Sequence, residues 1–116
     1  MKLFNFLRKK QNMKEVTVQE LKSMRENNED FQLIDVREEM EYDIANIGGE
    51  LIPMGTVMDN LDKINRDKKV VVHCKSGARS GTIVQMLTAQ GFDNLYNLKG
   101  GILAWADQID PTVSKY

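Results

Sequence analysis

The run "KKVVVHCKSGARS", residues 68–80, decides how this chain folds. Three consecutive valines, Val70 to Val72, call for apolar surroundings on both faces, as in a central strand of a parallel sheet. The residues after the strand are small or polar. They lead into Ile83, Val84, Met86 and Leu87, which recur at helical spacing. Strand, short loop and helix make the repeating unit of an open α/β sheet, whose ligands bind beyond the carboxyl ends of the strands. Cys74, the single cysteine, stands at that position, directly after His73, the single histidine.

Outward from this unit the same alternation continues. "KEVT" reads as a short first strand, and Thr17 with Glu20 forms a capping-box pattern ahead of Val18, Leu21 and Met24. "FQLIDV" (31–36) predicts a buried strand ending near Asp35 and Arg37, and "EEMEYDIA" a short helix stopped by Gly48 and Gly49. "ELIPM" is extended, because Pro53 biases Ile52 away from helix. Val57, Leu61 and Ile64 predict a helix over 56–64, "NLYNL" another strand, and "GGILAWADQI" a last helix. The expectation is about five strands and five helices, a mostly parallel sheet with helices on both faces. The folded domain is expected over 15–110, preceded by a basic extension (1–14) and followed by a tail (111–116).

Composition narrows the function. A chain of 116 residues with 41% hydrophobic and 28% charged residues can build one core without disulfides or metal. One cysteine cannot close an internal disulfide, and no His/Cys cluster offers a metal site, so a reducing cytoplasm is expected. The net charge of -1 hides an asymmetry. Lys2, Arg8, Lys9, Lys10 and Lys14 fall in the first 14 residues, which hold no acid, and the remainder is acidic. An acidic body argues against nucleic-acid binding. Leu3, Phe4, Phe6 and Leu7 form a small apolar face. It suits either membrane contact through residues 1–10 or a loosely docked terminus, and the latter is expected.

At Cys74 two readings compete. A cysteine after a strand is commonly inert packing. Here, however, Gly77 can turn successive N–H groups inward, the helix beyond Ser80 adds its unpaired donors, and Lys75 and Arg79 add positive charge. All of these favour thiolate over thiol, and such surroundings bring a cysteine pKa into the range of roughly 3.5–7.5. His73 should point to the opposite face of its strand, which suits a core or supporting role. Trp105 is expected in the core.

At this loop the sequence resembles the rhodanese family of sulfurtransferases, and the likeness extends beyond it. "LIDVRE" (33–38) is similar to that family's Asp-x-Arg strand end, "EEMEY" to its acidic-aromatic helix, and "IGGELIPM" to its Ile-Pro-Gly-Ala stretch. "VVHCKSGARS" resembles the active-site loop, and "LKGGILAW" the closing Gly-Gly-x-x-x-Trp helix. These pieces span about residues 15–109 in the family's order. The resemblance implies that Cys74 accepts sulfur as a persulfide, within a substrate-binding loop of Lys75, Ser76, Gly77, Ala78, Arg79 and Ser80. It makes Asp35 and Arg37 a supporting pair beneath that loop. Two positions depart from the pattern: Asn46 stands where the family has histidine, and Gly48 where it has proline.

The activity implied is transfer of sulfane sulfur from thiosulfate, a polysulfide or a persulfide to cyanide, a small thiol or a partner cysteine. A small anionic donor is expected, with no metal and no cofactor. The alternatives are a cysteine-loop phosphatase or arsenate reductase, and a non-catalytic binding module.

Overall fold

The computed structural model describes residues 13–116, so the expectations placed on residues 1–12 lie outside the described residues. Five strands form one sheet in the order β1-β5-β4-β2-β3: β1 (Glu15–Val16), β2 (Phe31–Asp35), β3 (Glu50–Leu51), β4 (Lys69–His73) and β5 (Leu95–Leu98). Every pairing is parallel. The valine-rich β4 lies in the middle, in register with β2 (Val71 opposite Leu33) and β5 (Val71 opposite Tyr96).

Alternation along β4 divides the core in two. Val70, Val72 and Cys74 face a cluster with Ile34, Val36, Ile52, Ile83, Leu87 and Phe92. Val71 faces the other, with Val18, Leu21, Leu33, Leu98, Ile102 and Trp105. Helices α1 (Val18–Glu26), α3 (Ala78–Ala89) and α4 (Gly101–Gln108) contribute to these two layers, whereas α2 (Glu39–Ile44) buries no residue. At the start of α1 the capping box forms in both directions. Glu20 N–H donates to Thr17 Oγ1 at 3.1 Å, and Thr17 N–H donates to Glu20 Oε1 at 2.9 Å.

Two expectations need correction. The helix predicted over 56–64 is two 3-10 segments, Met54–Asp59 and Leu61–Lys63. Asn60 interrupts them at φ -129°, ψ 30°, with its Nδ2 donating to the Thr56 carbonyl at 2.8 Å. A side chain bonded to the preceding turn competes with helix continuation, so the apolar spacing is satisfied by burying Val57 and Ile64 without an α-helix. Among the described residues the α-helices are therefore four, not five. The second correction concerns the end of α2, which stops at Ile44, ahead of Gly48 and Gly49; Ala45 is already extended at φ -160°. Asn46 then accepts from Gly48 N–H at 3.0 Å and donates to Tyr42 O at 3.2 Å. An Asx turn thus supplies the local order at the two positions that depart from the family pattern. After α4, residues Val113 and Tyr116 lie against the second core cluster.

Candidate active site

Cys74 leaves the carboxyl end of β4 almost wholly buried, and the chain turns at once into α3. Gly77 makes the turn at φ +106°, a left-handed conformation that residues with a Cβ rarely adopt. Its N–H donates to Cys74 Sγ at 3.1 Å, and the Ser80 hydroxyl stands 3.3 Å from the same sulfur. Burial alone would push the Cys74 thiol up. Hydrogen bonds from the Ser80 side chain and from the backbone of Ser80, Gly77 and Ser76 outweigh it and leave the thiol below its ordinary value. The loop's own donors are the largest influences that favour the thiolate, and the Arg79 guanidinium is also attracted to it.

What keeps those donors aimed at the sulfur is the opposite side of the loop. The carbonyls of Cys74 and Lys75 accept from Ile102 N–H at 3.0 Å and Leu103 N–H at 3.1 Å, in the first turn of α4. Gly101, at φ +60°, lies against both. A Cβ there would overlap the Lys75 carbonyl and come within 2.6 Å of the Cys74 oxygen. With carbonyls tied outward to one helix and amides opening toward another, the loop is a concave set of donors.

The Arg79 guanidinium is engaged by a carboxylate of α2. Its Nη1 and Nη2 donate to Glu41 Oε1 and Oε2 at 2.7 and 2.8 Å. This fork holds the Glu41 carboxyl down at about 2, assisted by the Glu38 backbone and the Tyr116 hydroxyl, and raises the Arg79 guanidinium further above its ordinary value. Lys75 sits with its ammonium 4.5 Å from the centre of the Tyr116 ring. Ser76 and Ala78 are exposed on the loop's outer edge.

The Asp35–Arg37 pair is fully buried beneath this arrangement. Arg37 Nη2 donates to Asp35 Oδ2 at 2.6 Å and to Ala45 O at 2.8 Å, so it ties the end of β2 to the end of α2. Its Nη1 donates to the Tyr116 hydroxyl at 2.7 Å. Paired charges of this kind are retained at the cost of desolvation only when every donor is satisfied. His73 lies on this face, as alternation predicts, with Nδ1 3.2 Å from the Cys74 carbonyl and Nε2 3.4 Å from Asp35 Oδ2. Burial lowers its pKa, against the Asp35 carboxylate, which raises it. His73 supports the strand end and does not face the sulfur.

Three residues of the site escaped the sequence reading. Glu41 lies within the quoted "EEMEY", but nothing local marks which acid meets Arg79 across 38 residues. Asn97 lies within the quoted "NLYNL" strand; its Oδ1 accepts from Ser80 Oγ at 2.6 Å, and its Nδ2 donates to Gly77 O at 3.1 Å. Tyr116 belonged to a segment with no periodicity. None of the three carried a pattern signal.

A buried thiol at the end of the central parallel strand, in a cup of backbone N–H groups, defines a cysteine-loop α/β domain. The Rhodanese-like domain family profile matches residues 17–108, and the chain belongs to that family. It is 36% identical over 104 residues to "Probable adenylyltransferase/sulfurtransferase MoeZ" of Mycobacterium tuberculosis; the match covers 87% of this chain and only 26% of that longer protein. It is 35% identical over 101 residues to "Sulfurtransferase" of Allochromatium vinosum, covering 86% of this chain and 94% of the relative. Among solved structures, the rhodanese-like domain protein from Staphylococcus aureus superposes with a TM-score of 0.77 at 34% identity, over 90% of this chain and 99% of that one.

Proposed function

We propose that this domain is a sulfurtransferase working through a persulfide on Cys74. The observation that carries the reading is the donation of Gly77 N–H to Sγ, with the Ser80 hydroxyl 3.3 Å from the same sulfur, in a loop whose Ser76 and Ser80 amides also favour the thiolate. The sulfurtransferase relatives are consistent with it.

The Cys74 thiolate attacks the sulfane sulfur of thiosulfate, a polysulfide or a protein persulfide. One S–S bond forms and another breaks, and its electron pair departs with sulfite or a thiolate. The outer sulfur is then a terminal anion within the amide cup, which lowers its energy as an oxyanion hole would. An acceptor nucleophile, such as cyanide, a small thiol or a partner cysteine, takes that sulfur, and the Cys74 thiolate leaves. The cycle returns the thiolate with no net redox change at the protein. Among the described residues no helix is long and apolar enough to cross a membrane, and a reducing cytoplasm is the setting in which the free thiol is most useful.

The test is to incubate the protein with thiosulfate or a polysulfide, weigh it intact, and repeat with Cys74→Ser. The wild type is expected to gain the mass of one sulfur and release it to cyanide as thiocyanate. The variant should keep its fold and gain nothing. Residual thiocyanate formation by Cys74→Ser, or turnover of an aryl phosphate without sulfur loading, would overturn the proposal.

A further inference from the structure

Two cationic side chains at this site, Lys75 and Arg37, converge on one aromatic residue. Tyr116 presents its ring face to the Lys75 ammonium, 4.5 Å from the centroid, and to the Arg37 guanidinium at 5.5 Å. Its hydroxyl accepts from Arg37 Nη1 at 2.7 Å and donates to Glu41 Oε2 at 2.8 Å. Glu41 in turn holds Arg79, so a continuous chain runs Asp35–Arg37–Tyr116–Glu41–Arg79. Tyr116 is not an incidental surface aromatic: it lies against the core cluster, and both hydrogen-bonding capacities of its hydroxyl are used.

The consequence for charge differs between the two loop cations. Arg79 is matched one-to-one by Glu41, so it contributes little net field toward an incoming anion. Among the described residues Lys75 has no carboxylate partner. It is held by a ring face, which restrains the ammonium while leaving its charge uncompensated. Lysine ordinarily carries large rotamer freedom, and fixing it beforehand spares that loss when an anion arrives. The Lys75 backbone is already pinned to α4 through its carbonyl, so the side chain is the part that needs a seat.

We infer that Tyr116 is a positioning residue for the donor: its ring seats Lys75 as the uncompensated cation that receives an anionic sulfur compound at Cys74. The class of donor this selects is small and anionic. The inference rests on Cys74 being the reacting nucleophile proposed above, but it can be read without sulfur transfer.

The readout is alkylation of Cys74 in the full chain by iodoacetate, which is anionic, and by iodoacetamide, its neutral counterpart. The ratio of the two rates measures anion reception separately from thiol reactivity. In Tyr116→Ala the ratio should fall by roughly three- to fivefold while the iodoacetamide rate stays within about twofold. Tyr116→Phe keeps the ring and should retain the wild-type ratio. In a Lys75→Gln background, Tyr116→Ala should produce no further fall. An unchanged or increased ratio in Tyr116→Ala overturns the inference, as does an equal fall in both rates, which marks a merely structural role. A further fall on adding Tyr116→Ala to Lys75→Gln would also overturn it. Failure of sulfur loading with a normal ratio response would instead refute the transfer reading and leave the seat for Lys75 intact.

Discussion

Arg79 and Glu41 bind each other fork to fork, two guanidinium nitrogens on two carboxylate oxygens, across 38 residues of sequence. The pair links the first turn of α3 to α2 and fixes one wall of the site. Such bidentate contacts are the strong form of the charge-assisted hydrogen bond.

This pairing gives a pH dependence whose sign is determined. The Glu41 carboxyl sits at about 2 in the fold, against an ordinary value near 4.5. Its contribution to stability is therefore complete above about pH 4.5, and it is lost as pH falls toward 2. Because Arg79 is about one-third exposed, the loss should be about 1–3 kcal/mol, below the full linkage value. Denaturant melts of wild type and Glu41→Gln should differ most at neutral pH and converge near pH 2. A constant difference across that window would show that the pair is not the titrating element.

Ser80→Ala removes a donor to Sγ while leaving the backbone donors in place. The Cys74 thiol should then titrate higher than in the wild type, seen as an upward shift of the pH at which iodoacetamide alkylation reaches half its maximum rate. Loss of reactivity at every pH with no shift of the midpoint would assign Ser80 to packing alone.

Gly101→Ala tests the clamp behind the loop. A Cβ would meet two carbonyls that already accept hydrogen bonds from α4, in a left-handed conformation. The expected cost is about 3 kcal/mol or more, with loop amides displaced from the sulfur. Gly55→Ala, which meets nothing within 4 Å, is the control and should change stability by less than about 0.5 kcal/mol. Equal effects of the two substitutions would refute the clamp.

Loop length gives a fourth expectation. Four residues separate Cys74 from Arg79. The cysteine phosphatase loops that this one resembles place five there. The shorter ring suits one added sulfur and crowds the three equatorial oxygens of a transferring phosphoryl group. The wild type should have negligible aryl phosphatase activity, and inserting one small residue between Ala78 and Arg79 should weaken sulfur loading. Efficient aryl phosphate hydrolysis by the unaltered chain would mean that loop length is not the selector.

The strand positions and the place of Cys74 at a strand end were legible because each is a local signal: three valines, a capping box, a glycine before a helix. The run 56–64 misled because apolar spacing reports burial and says nothing of a side chain such as Asn60 that bonds its own preceding turn. Glu41, Asn97 and Tyr116 were illegible for another reason. Their roles exist only once distant segments meet, and their residue types fit an ordinary solvated helix, a core strand and a tail equally well. The Asp35–Arg37 pair lay between these cases. Its spacing suggested an ion pair, but its complete burial and its hold on Ala45 needed the fold.

The tethering of the Cys74 and Lys75 carbonyls to α4 bears on how the protein would be read by others. A loop fastened to two helices has no second shape to adopt when a sulfur atom is added. Empty and charged forms should share one outline, and their amide hydrogen-exchange patterns should match outside residues 74–80. A partner cannot then learn the loading state from a moved surface. Under the transfer reading it would have to sample the cup itself, and the signal would be a single atom.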